Sequence, residues 1–412
     1  MIKDFDKLLL NYAKLIVNRG LNLKKDRIIN IYADIDQPDF VNLLVEECYK
    51  AGARLVKVIW NCAPIERLIY QKTSLAELNK LYSYKKAQIK FNIKHDVSNI
   101  YLESNDPNYL NGVDSKKVSE PGRIVRKYAD AVRGLAYRTA PYTIACVPSV
   151  AWAKVLFPEL CDIKAVEKLW SLIFMICHVT KDDPYRAWDE HCYFIDKRAK
   201  WLNSLDIKTL NYKSKNGTDL TVGMTNKYQF EATADYDVRT GRIYYSNIPT
   251  EECFVSPHRL KTNGIVYASK PLCVNGQLIE DIVLKFKNGR IIFADAKKNK
   301  KLLLELIEAD EGSHYLGEAA LVPFDSLINN TGILFLNTLY DENACCHFAL
   351  GSAYTFTYRD YEKLKKSELK AAGINFSSIH EDFMIGTKDL SIVATTRKGK
   401  KIPIFVNGVW AK

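Results

Sequence analysis

The chain has 412 residues, 47% of them hydrophobic and 26% charged, a balance typical of an ordinary globular protein that is long enough for two domains. No run of apolar residues is long enough to span a membrane, and the N-terminus lacks an apolar core, so neither a transmembrane span nor a signal peptide is expected. The ten cysteines contain no Cys-x-x-Cys pair, which indicates the reduced thiols of a cytoplasmic protein.

Helix and strand patterns alternate through residues 1–205, the predicted first domain. In chain order they predict helix 4–17, strand 27–33, helix 40–51, strand 54–60, helix 65–81, strand 99–103, helix 123–135, strand 143–147 and helices 164–178 and 183–205. This alternation predicts an N-terminal α/β domain with a mostly parallel sheet covered by helices.

The pattern changes in residues 206–412, the predicted second domain. Asn-Gly pairs separate alternating apolar runs, and such a pair is the strongest short signal for a β-hairpin. Hairpins are predicted around Asn216-Gly217 and Asn288-Gly289, and one helix is predicted over 297–308. The expected fold class is therefore α/β plus α+β, with a mainly antiparallel β domain in the C-terminal half that we expect to be catalytic.

The net charge of +11 raises the question of a nucleic-acid partner. The basic residues are dispersed, and their densest clusters, 297–301 and 397–401, are typical of a strand-to-helix junction and a hairpin tip. A solvated surface accounts for both clusters. We therefore expect no nucleic-acid partner, and without a long apolar segment we expect no membrane partner.

The most informative stretch is His380-Glu381-Asp382. Residues two apart in an extended strand project to the same face, so the imidazole of His380 and the carboxylate of Asp382 are predicted to point at one spot. Both groups are suitable ligands for a divalent metal ion. The same pair is also common as a local salt bridge at a protein surface.

Three more ionisable residues stand in apolar or small-residue surroundings. Glu318, in Leu-Gly-Glu-Ala-Ala-Leu, requires a cation if it is buried. His347 lies between two cysteines and Phe-Ala-Leu, where it is either a ligand or a hydrogen-bonded core histidine. Glu252 follows Glu251 and belongs either to a site or to a solvated turn.

Together, these three carboxylates and two imidazoles match the ligands of a two-metal hydrolytic site, in which carboxylates bridge two ions. No His-Glu-x-x-His, Gly-x-Ser-x-Gly, P-loop or Gly-x-Gly-x-x-Gly motif is present to indicate another chemistry. The residues alone leave a dinuclear hydrolase open beside the structural alternatives.

Four blocks of sequence, taken in their order and spacing, resemble the thermophilic-type metallo-aminopeptidases of family M29. The blocks are 247–258, 312–322, 337–354 and 380–386. The resemblance extends over the whole length and implies two divalent ions held by the C-terminal domain. The ligands that it implies are Glu252, Glu318, His347, His380 and Asp382, with Tyr354 at the site, and nitrogen and oxygen ligands suit zinc, cobalt or manganese.

The same resemblance implies a metal-dependent aminopeptidase that releases N-terminal residues from short peptides through a water activated by the two metals. Another dinuclear metallohydrolase, an amidase or phosphatase, is the alternative. Tyr354 is expected to donate a hydrogen bond to the developing oxyanion. Glu251, with Glu311 as second choice, is the candidate for the carboxylate that carries a proton to the leaving amine. The resemblance also implies a homodimer whose active sites face an enclosed space.

Overall fold

A computed structural model of the chain describes residues 2–104, 106–133, 140–237, 240–274 and 276–411. A π-helical turn, Ile16–Gly20, continues the first helix, and short 3-10 turns occur at Glu311–His314, Asn329–Thr331, Thr355–Thr357 and Tyr361–Lys363. The α-helices are α1 (Phe5–Leu15), α2 (Pro38–Lys50), α3 (Ala63–Lys72), α4 (Leu75–Leu78), α5 (Ser83–Lys94), α6 (Ser115–Arg133), α7 (Val150–Leu156), α8 (Asp162–Ile176), α9 (Pro184–Asn203), α10 (Lys300–Ile307), α11 (Thr338–Glu342) and α12 (Lys366–Ala371).

The β-strands are more frequent in the second half of the chain than in the first. They are β1 (Ile28–Asp34), β2 (Leu55–Asn61), β3 (Ser98–Glu103), β4 (Tyr142–Cys146), β5 (Ile207–Lys213), β6 (Asp219–Met224), β7 (Asp235–Asp237), β8 (Arg242–Tyr244), β9 (Asn247–Ile248), β10 (Cys253–Val255), β11 (Pro257–Tyr267), β12 (Leu272–Val274), β13 (Gln277–Ile279), β14 (Val283–Lys287), β15 (Arg290–Asp295), β16 (Leu316–Leu321), β17 (His347–Gly351), β18 (His380–Met384), β19 (Ser391–Thr396), β20 (Lys401–Val406) and β21 (Val409–Trp410).

The first compact unit comprises Met1–Cys192 and Ala234–Pro249. Its main sheet has the strand order β2-β1-β3-β4-β9, and every neighbouring pair is parallel. Helix α1 contributes Tyr12 to the core, where the buried hydroxyl donates a hydrogen bond to the carbonyl of Cys146 over 3.0 Å. The α/β domain with a parallel sheet that the alternating patterns predict is confirmed.

The second compact unit comprises Tyr193–Thr233 and Thr250–Lys412. One antiparallel sheet has the order β15-β14-β11-β6-β5-β19-β20-β21, and a smaller antiparallel sheet has the order β10-β16-β17-β18. The mainly antiparallel architecture expected of the C-terminal half is confirmed. The compact units divide inside α9, and the segment 234–249 belongs with the first unit. The predicted domain boundary at 205/206 stays a prediction.

Local signals explain where the predicted elements agree with the structure and where they differ. The Asn216-Gly217 and Asn288-Gly289 pairs connect β5 to β6 and β14 to β15, and Asn288 and Gly289 both have positive φ, as a type I′ turn requires. The helix predicted over 65–81 is broken, because Ser74 caps α4 by accepting a hydrogen bond from the Glu77 N–H over 3.2 Å. Helix α6 begins earlier than predicted, and its predicted end at Leu135 lies outside the described residues.

The two larger sheets of the second unit share one hydrophobic core. Tyr212 of β5 and Phe348 of β17 are fully buried, and their ring centroids lie 5.0 Å apart. Phe383 of β18 packs against Phe348 with centroids 6.1 Å apart. These contacts fix which face of the smaller sheet is turned towards the core, and therefore which residues lie on its other face.

Among the residues that the structure describes, the helices are too short or too polar to span a lipid bilayer.

Candidate metal centre

The alternation of side chains along β17 and β18 separates core residues from candidate ligands. Phe348 and Phe383 point into the hydrophobic core. Their neighbours His347 and Asp382 therefore project from the opposite face of the sheet, and His380, two residues before Asp382, projects with it. The i, i+2 arrangement predicted for His380 and Asp382 is the one observed.

The other two strands of the sheet follow the same rule. Ala319 and Leu321 of β16 belong to the core, which leaves Glu318 on the opposite face. Cys253 of β10 is a core residue as well, and Glu252 directly precedes it. The carboxylates of Glu318 and Glu252 are thus on the same side of the sheet as the two histidines.

The strand register leaves space between the candidate ligands. Glu318 pairs with Ala349, and Ala349 pairs with Asp382, so a single methyl group stands between two carboxylates. His347 lies two residues before Ala349 on the same face of β17. A larger side chain at Ala349 would project into the space that these three groups surround.

Two groups of potential ligand atoms occur among the described residues, and they share Glu318. They are Glu252, Glu318 and His347, and Glu318, His380 and Asp382, and within each group the atoms lie within 4.8 Å of one another. The Nε2 atom of His347 is 3.1 Å from Oε2 of Glu252. The Nε2 atom of His380 is 3.1 Å from Oε2 of Glu318 and 3.5 Å from Oδ1 of Asp382.

Backbone carbonyl groups orient both imidazole rings. Nδ1 of His347 lies 3.3 Å from the carbonyl oxygen of Cys345, and Nδ1 of His380 lies 2.8 Å from that of Ser352. A carbonyl can only accept, so each neutral ring carries its proton on Nδ1 and offers the lone pair of Nε2 to the centre of the cluster.

The electrostatics of the cluster are those of groups that need a cation. Burial raises the pKa of Glu318 to about 7, although the hydrogen bond from His380 opposes the shift. Burial lowers the pKa of His347 and His380, but the surrounding carboxylates outweigh it and raise both pKa values well above the ordinary range. The carboxylates therefore favour the protonated, positively charged form of both imidazoles when no other cation is present.

The buried oxygen atoms provide a test of whether these residues fit a metal. Oε2 of Glu252 and Oδ1 of Asp382 are buried and accept no hydrogen bond of good geometry from the described residues, and they lie 3.1 Å and 4.0 Å from Nε2 of His347. Leaving a buried carboxylate oxygen without a donor is costly. Carboxylate and imidazole donors at these separations fit a divalent cation, and such a donor set is typical of metallohydrolases.

Tyr354 stands at the edge of the cluster. Its hydroxyl lies 3.4 Å from Nε2 of His380, the two ring centroids are 4.9 Å apart, and the residue is 37% exposed. The structure therefore brings Tyr354 next to His380 of the candidate ligands, at a position that solvent reaches.

The two candidates for the proton-carrying carboxylate lie in different surroundings. Glu251 is buried, and burial together with the charge of Asp325 raises its pKa to about 8. Its backbone N–H donates a hydrogen bond to Oδ1 of Asn343 over 2.7 Å. Glu311 is exposed and forms an ion pair with Arg290 at 2.9 Å, outside the two ligand groups. The catalytic role of Glu251 stays a prediction.

Glu342 is a further acidic group near the ligand cluster that the sequence did not single out. Burial, together with the charges of Asp382 and Glu252, raises its pKa well above the ordinary range. Glu342 ends α11, which begins where the side chain of Asn337 accepts a hydrogen bond from the Tyr340 N–H over 3.4 Å. The available signal was the acidic pair Asp341-Glu342 in the block 337–354.

Comparison with known proteins agrees with the class that the donor set indicates. Residues 5–410 match the model of the thermophilic metalloprotease family M29. The chain is 36% identical to aminopeptidase AmpS of Bacillus subtilis (strain 168), over 99% of each chain, and 35% identical to aminopeptidase PepS of Streptococcus thermophilus, over 100% of this chain and 99% of the relative. The solved structure of wild-type AmpT from Thermus thermophilus superposes with a TM-score of 0.88 at 32% identity, covering 99% of this chain and 100% of that one.

These matches extend over nearly the full length of each protein. The chain belongs to the M29 family of thermophilic metalloproteases. It is an enzyme, a hydrolase of the metallo-aminopeptidase type, as the sequence resemblance implied.

Proposed function

We propose that this enzyme releases N-terminal residues from short peptides with a free α-amine, and that its cofactor is a pair of divalent ions, zinc, cobalt or manganese. The observation that carries the proposal is the position of Glu318, whose carboxylate belongs to both groups of potential ligands. A carboxylate shared in this way is the usual bridge of a two-metal hydrolytic site.

The residues divide into two sets around Glu318. Glu252 and His347 would complete the shell of one ion, and His380 and Asp382 that of the other. Glu342, whose pKa is raised by burial and by the charge of Asp382, would add a further carboxylate near the second set. When bound, such ions lower the pKa of a water molecule and polarise the scissile carbonyl group.

The remaining steps fall to side chains of the chain itself. Tyr354 is proposed to donate a hydrogen bond from its hydroxyl to the oxygen that becomes negative in the transition state, which its position next to His380 and its partial exposure support. The backbone carbonyls of Cys345 and Ser352 keep the imidazole rings in one orientation throughout. Glu251 is proposed to carry the proton to the leaving amine.

Another dinuclear hydrolase is the alternative function. We also propose that the enzyme is a homodimer in the cytoplasm.

The basic cluster at 297–301 gives little support to a nucleic-acid partner, because its lysines pair with nearby acids. The Nζ atom of Lys297 lies 3.9 Å from a carboxylate oxygen of Asp281, and that of Lys298 lies 2.7 Å from one of Glu280. The corresponding distance is 3.0 Å from Lys300 to Asp295 and 3.9 Å from Lys301 to Glu305.

A substrate panel with metal removal tests the proposal. We expect cleavage of aminoacyl-p-nitroanilides, loss of that cleavage after treatment with a chelator, and its return when zinc, cobalt or manganese is added back. Their N-acetylated counterparts and p-nitrophenyl phosphate should not react, because only an aminopeptidase requires the free amine. Elemental analysis of the active form should give two ions per chain. Equal rates on blocked substrates, or a rate that survives removal of the metal, would contradict the proposal.

The replacement Ala349→Val tests whether the space between the carboxylates is where the ions bind. Two added methyl groups would project between Glu318 and Asp382, so we expect metal content to fall and kcat/KM to drop about 100-fold, since small displacements in an active site have effects of that order. Elemental analysis, kinetics and thermal unfolding measure the result.

The matched control is Ala394→Val in the hydrophobic core of the same unit. It creates similar crowding away from the site, and it should lower stability while leaving metal content intact. If Ala349→Val retained both metal and rate, the ions would have to lie elsewhere.

A further inference from the structure

Three aromatic rings form a contiguous group beside the candidate metal centre, and the proposed mechanism uses only one of them. The ring centroids of Phe254 and Tyr354 are 5.5 Å apart, those of Tyr354 and Phe356 are 5.2 Å apart, and those of Phe254 and Phe356 are 6.1 Å apart. Each ring therefore contacts the other two. We call these three residues the aromatic wall.

The strand register places the aromatic wall next to the ligands. Phe254 pairs with Ala320, and Ala320 pairs with His347, so Phe254 and His347 share one face of the sheet with a single methyl group between them. At the other end of the wall, the ring of Tyr354 lies 4.9 Å from that of His380. The wall thus lies beside histidines of both ligand groups.

Hydrogen bonds anchor the backbone of the wall at Tyr354. Oγ of Ser256 accepts a hydrogen bond from the Tyr354 N–H over 3.1 Å, and the Thr357 hydroxyl donates to the Tyr354 carbonyl over 2.7 Å. The Ser256 N–H in turn donates to Oγ1 of Thr357 over 3.2 Å. Phe356 also packs against a small hydrophobic cluster of the same segment, which includes Tyr358. A rigid surface can select a ligand by shape because little ordering is needed on binding.

The wall also keeps apolar surface open to solvent. Phe254 and Phe356 are only half-buried, whereas the neighbours of Phe254 on β10, Cys253 and Val255, are fully buried. In an aminopeptidase the α-amine and the scissile carbonyl belong to the same residue and flank its Cα. With both groups at the metal centre, the side chain of that first residue must lie within a few ångströms of it, which is where the wall begins.

We propose that the aromatic wall binds the first side chain of the substrate, and that the enzyme prefers peptides that begin with a large apolar residue such as leucine or phenylalanine. This inference rests on the proposed aminopeptidase activity. Phe254 and Phe356 are the specificity-determining residues, since Tyr354 already has a role in the chemistry. Contact with aromatic rings favours an aliphatic or aromatic side chain over a small or charged one.

The test compares two replacements of similar size on the metal-loaded enzyme, Phe254→Leu and Phe254→Gln, with the p-nitroanilides of leucine, phenylalanine, alanine and glutamate. In the wild type we expect kcat/KM for leucine and phenylalanine to exceed that for alanine and glutamate by about tenfold or more, the range that apolar pockets reach. Phe254→Gln should lower kcat/KM about tenfold for the leucine and phenylalanine substrates but less than about threefold for the alanine substrate. Phe254→Leu should keep the leucine rate within about threefold of the wild type.

The control is Phe293→Gln, the same replacement at a phenylalanine of β15 that is 50% exposed. It should change none of the four rates. Metal content and thermal unfolding are measured for every variant, and Phe356→Leu with Phe356→Gln repeats the comparison at a second ring of the wall if Phe254→Gln does not fold.

Two outcomes would overturn the inference. An equal loss on all four substrates would show that Phe254 only supports the structure, and selectivity that follows the residue after the scissile bond, measured with leucyl dipeptides, would assign the wall to the second side chain. A wild type that cleaves no substrate with a free amine would instead refute the aminopeptidase activity itself, so the two failures can be told apart.

Discussion

Replacing Glu318 with glutamine is expected to lower kcat/KM for aminoacyl-p-nitroanilides by at least about 10³-fold, which corresponds to about 4 kcal/mol in the activation free energy. Glu318 is the residue common to both groups of potential ligands. The neutral amide of glutamine is a poorer ligand for a divalent ion than a carboxylate. This single replacement should therefore weaken the binding of both ions. Elemental analysis should show less metal per chain alongside the loss of rate.

The unfolding of the metal-free Glu318→Gln variant separates a loss of ligands from a loss of structure. Burial raises the pKa of Glu318 to about 7, so removing this charge should leave the metal-free protein at least as stable as the wild type. Glu362→Gln is the matched control, because Glu362 is an exposed glutamate of the same unit that belongs to neither ligand group. A Glu318→Gln variant with two ions per chain and the wild-type rate would remove Glu318 from the metal centre.

The second large effect concerns stability. Phe348→Ala should lower the free energy of unfolding by about 3–5 kcal/mol, the usual cost of deleting a fully buried aromatic ring. Phe348 packs against Tyr212 and Phe383 and connects the two larger sheets of the second unit. Chemical denaturation of the metal-free protein measures the change without a contribution from bound ions.

Phe293→Ala, at an exposed position of the same unit, should change stability by no more than about 0.5 kcal/mol. Because Phe348 lies between His347 and Ala349, its loss should also weaken metal binding in the fraction that remains folded. A loss of less than about 1 kcal/mol for Phe348→Ala would mean that the two sheets do not depend on this contact.

Much of the architecture could be predicted because the deciding signals are local. Alternating helices and strands indicated the parallel sheet, and Asn216-Gly217 and Asn288-Gly289 indicated antiparallel hairpins. The broken helix at Ser74 was missed because one hydroxyl at the N-terminus of α4 outweighed a helical pattern that runs through the break.

The site was only partly predictable because it depends on register between strands that are distant in the sequence. A shift of one residue in any of the strands would turn its candidate ligand to the other face. His380 and Asp382 could be placed together from their spacing, but the position of Phe254 beside His347 depends on two strand pairings that no local pattern reveals. Glu342 was missed for the same reason, since its place depends on how α11 packs against β18.

Glu251 and Glu252 show the limit of spacing arguments most clearly. Neighbouring residues in an extended chain project to opposite sides, so only one of the two can face the histidines. The structure brings Glu252 to within 3.1 Å of His347, while the charge that acts on Glu251 is that of Asp325. Sequence order alone could not separate the two residues, because both lie in the same motif block.

The candidate ligands lie on strands of one small sheet, or directly beside one, so hydrogen-bonded backbone sets the spacing between them. The half-buried rings of Phe254 and Phe356 contribute no donor atom to that framework. Evolution or laboratory selection can therefore replace these two aromatic side chains without changing the residues that would bind the metal ions. Such a division of labour makes this scaffold a practical starting point for peptidases with new preferences.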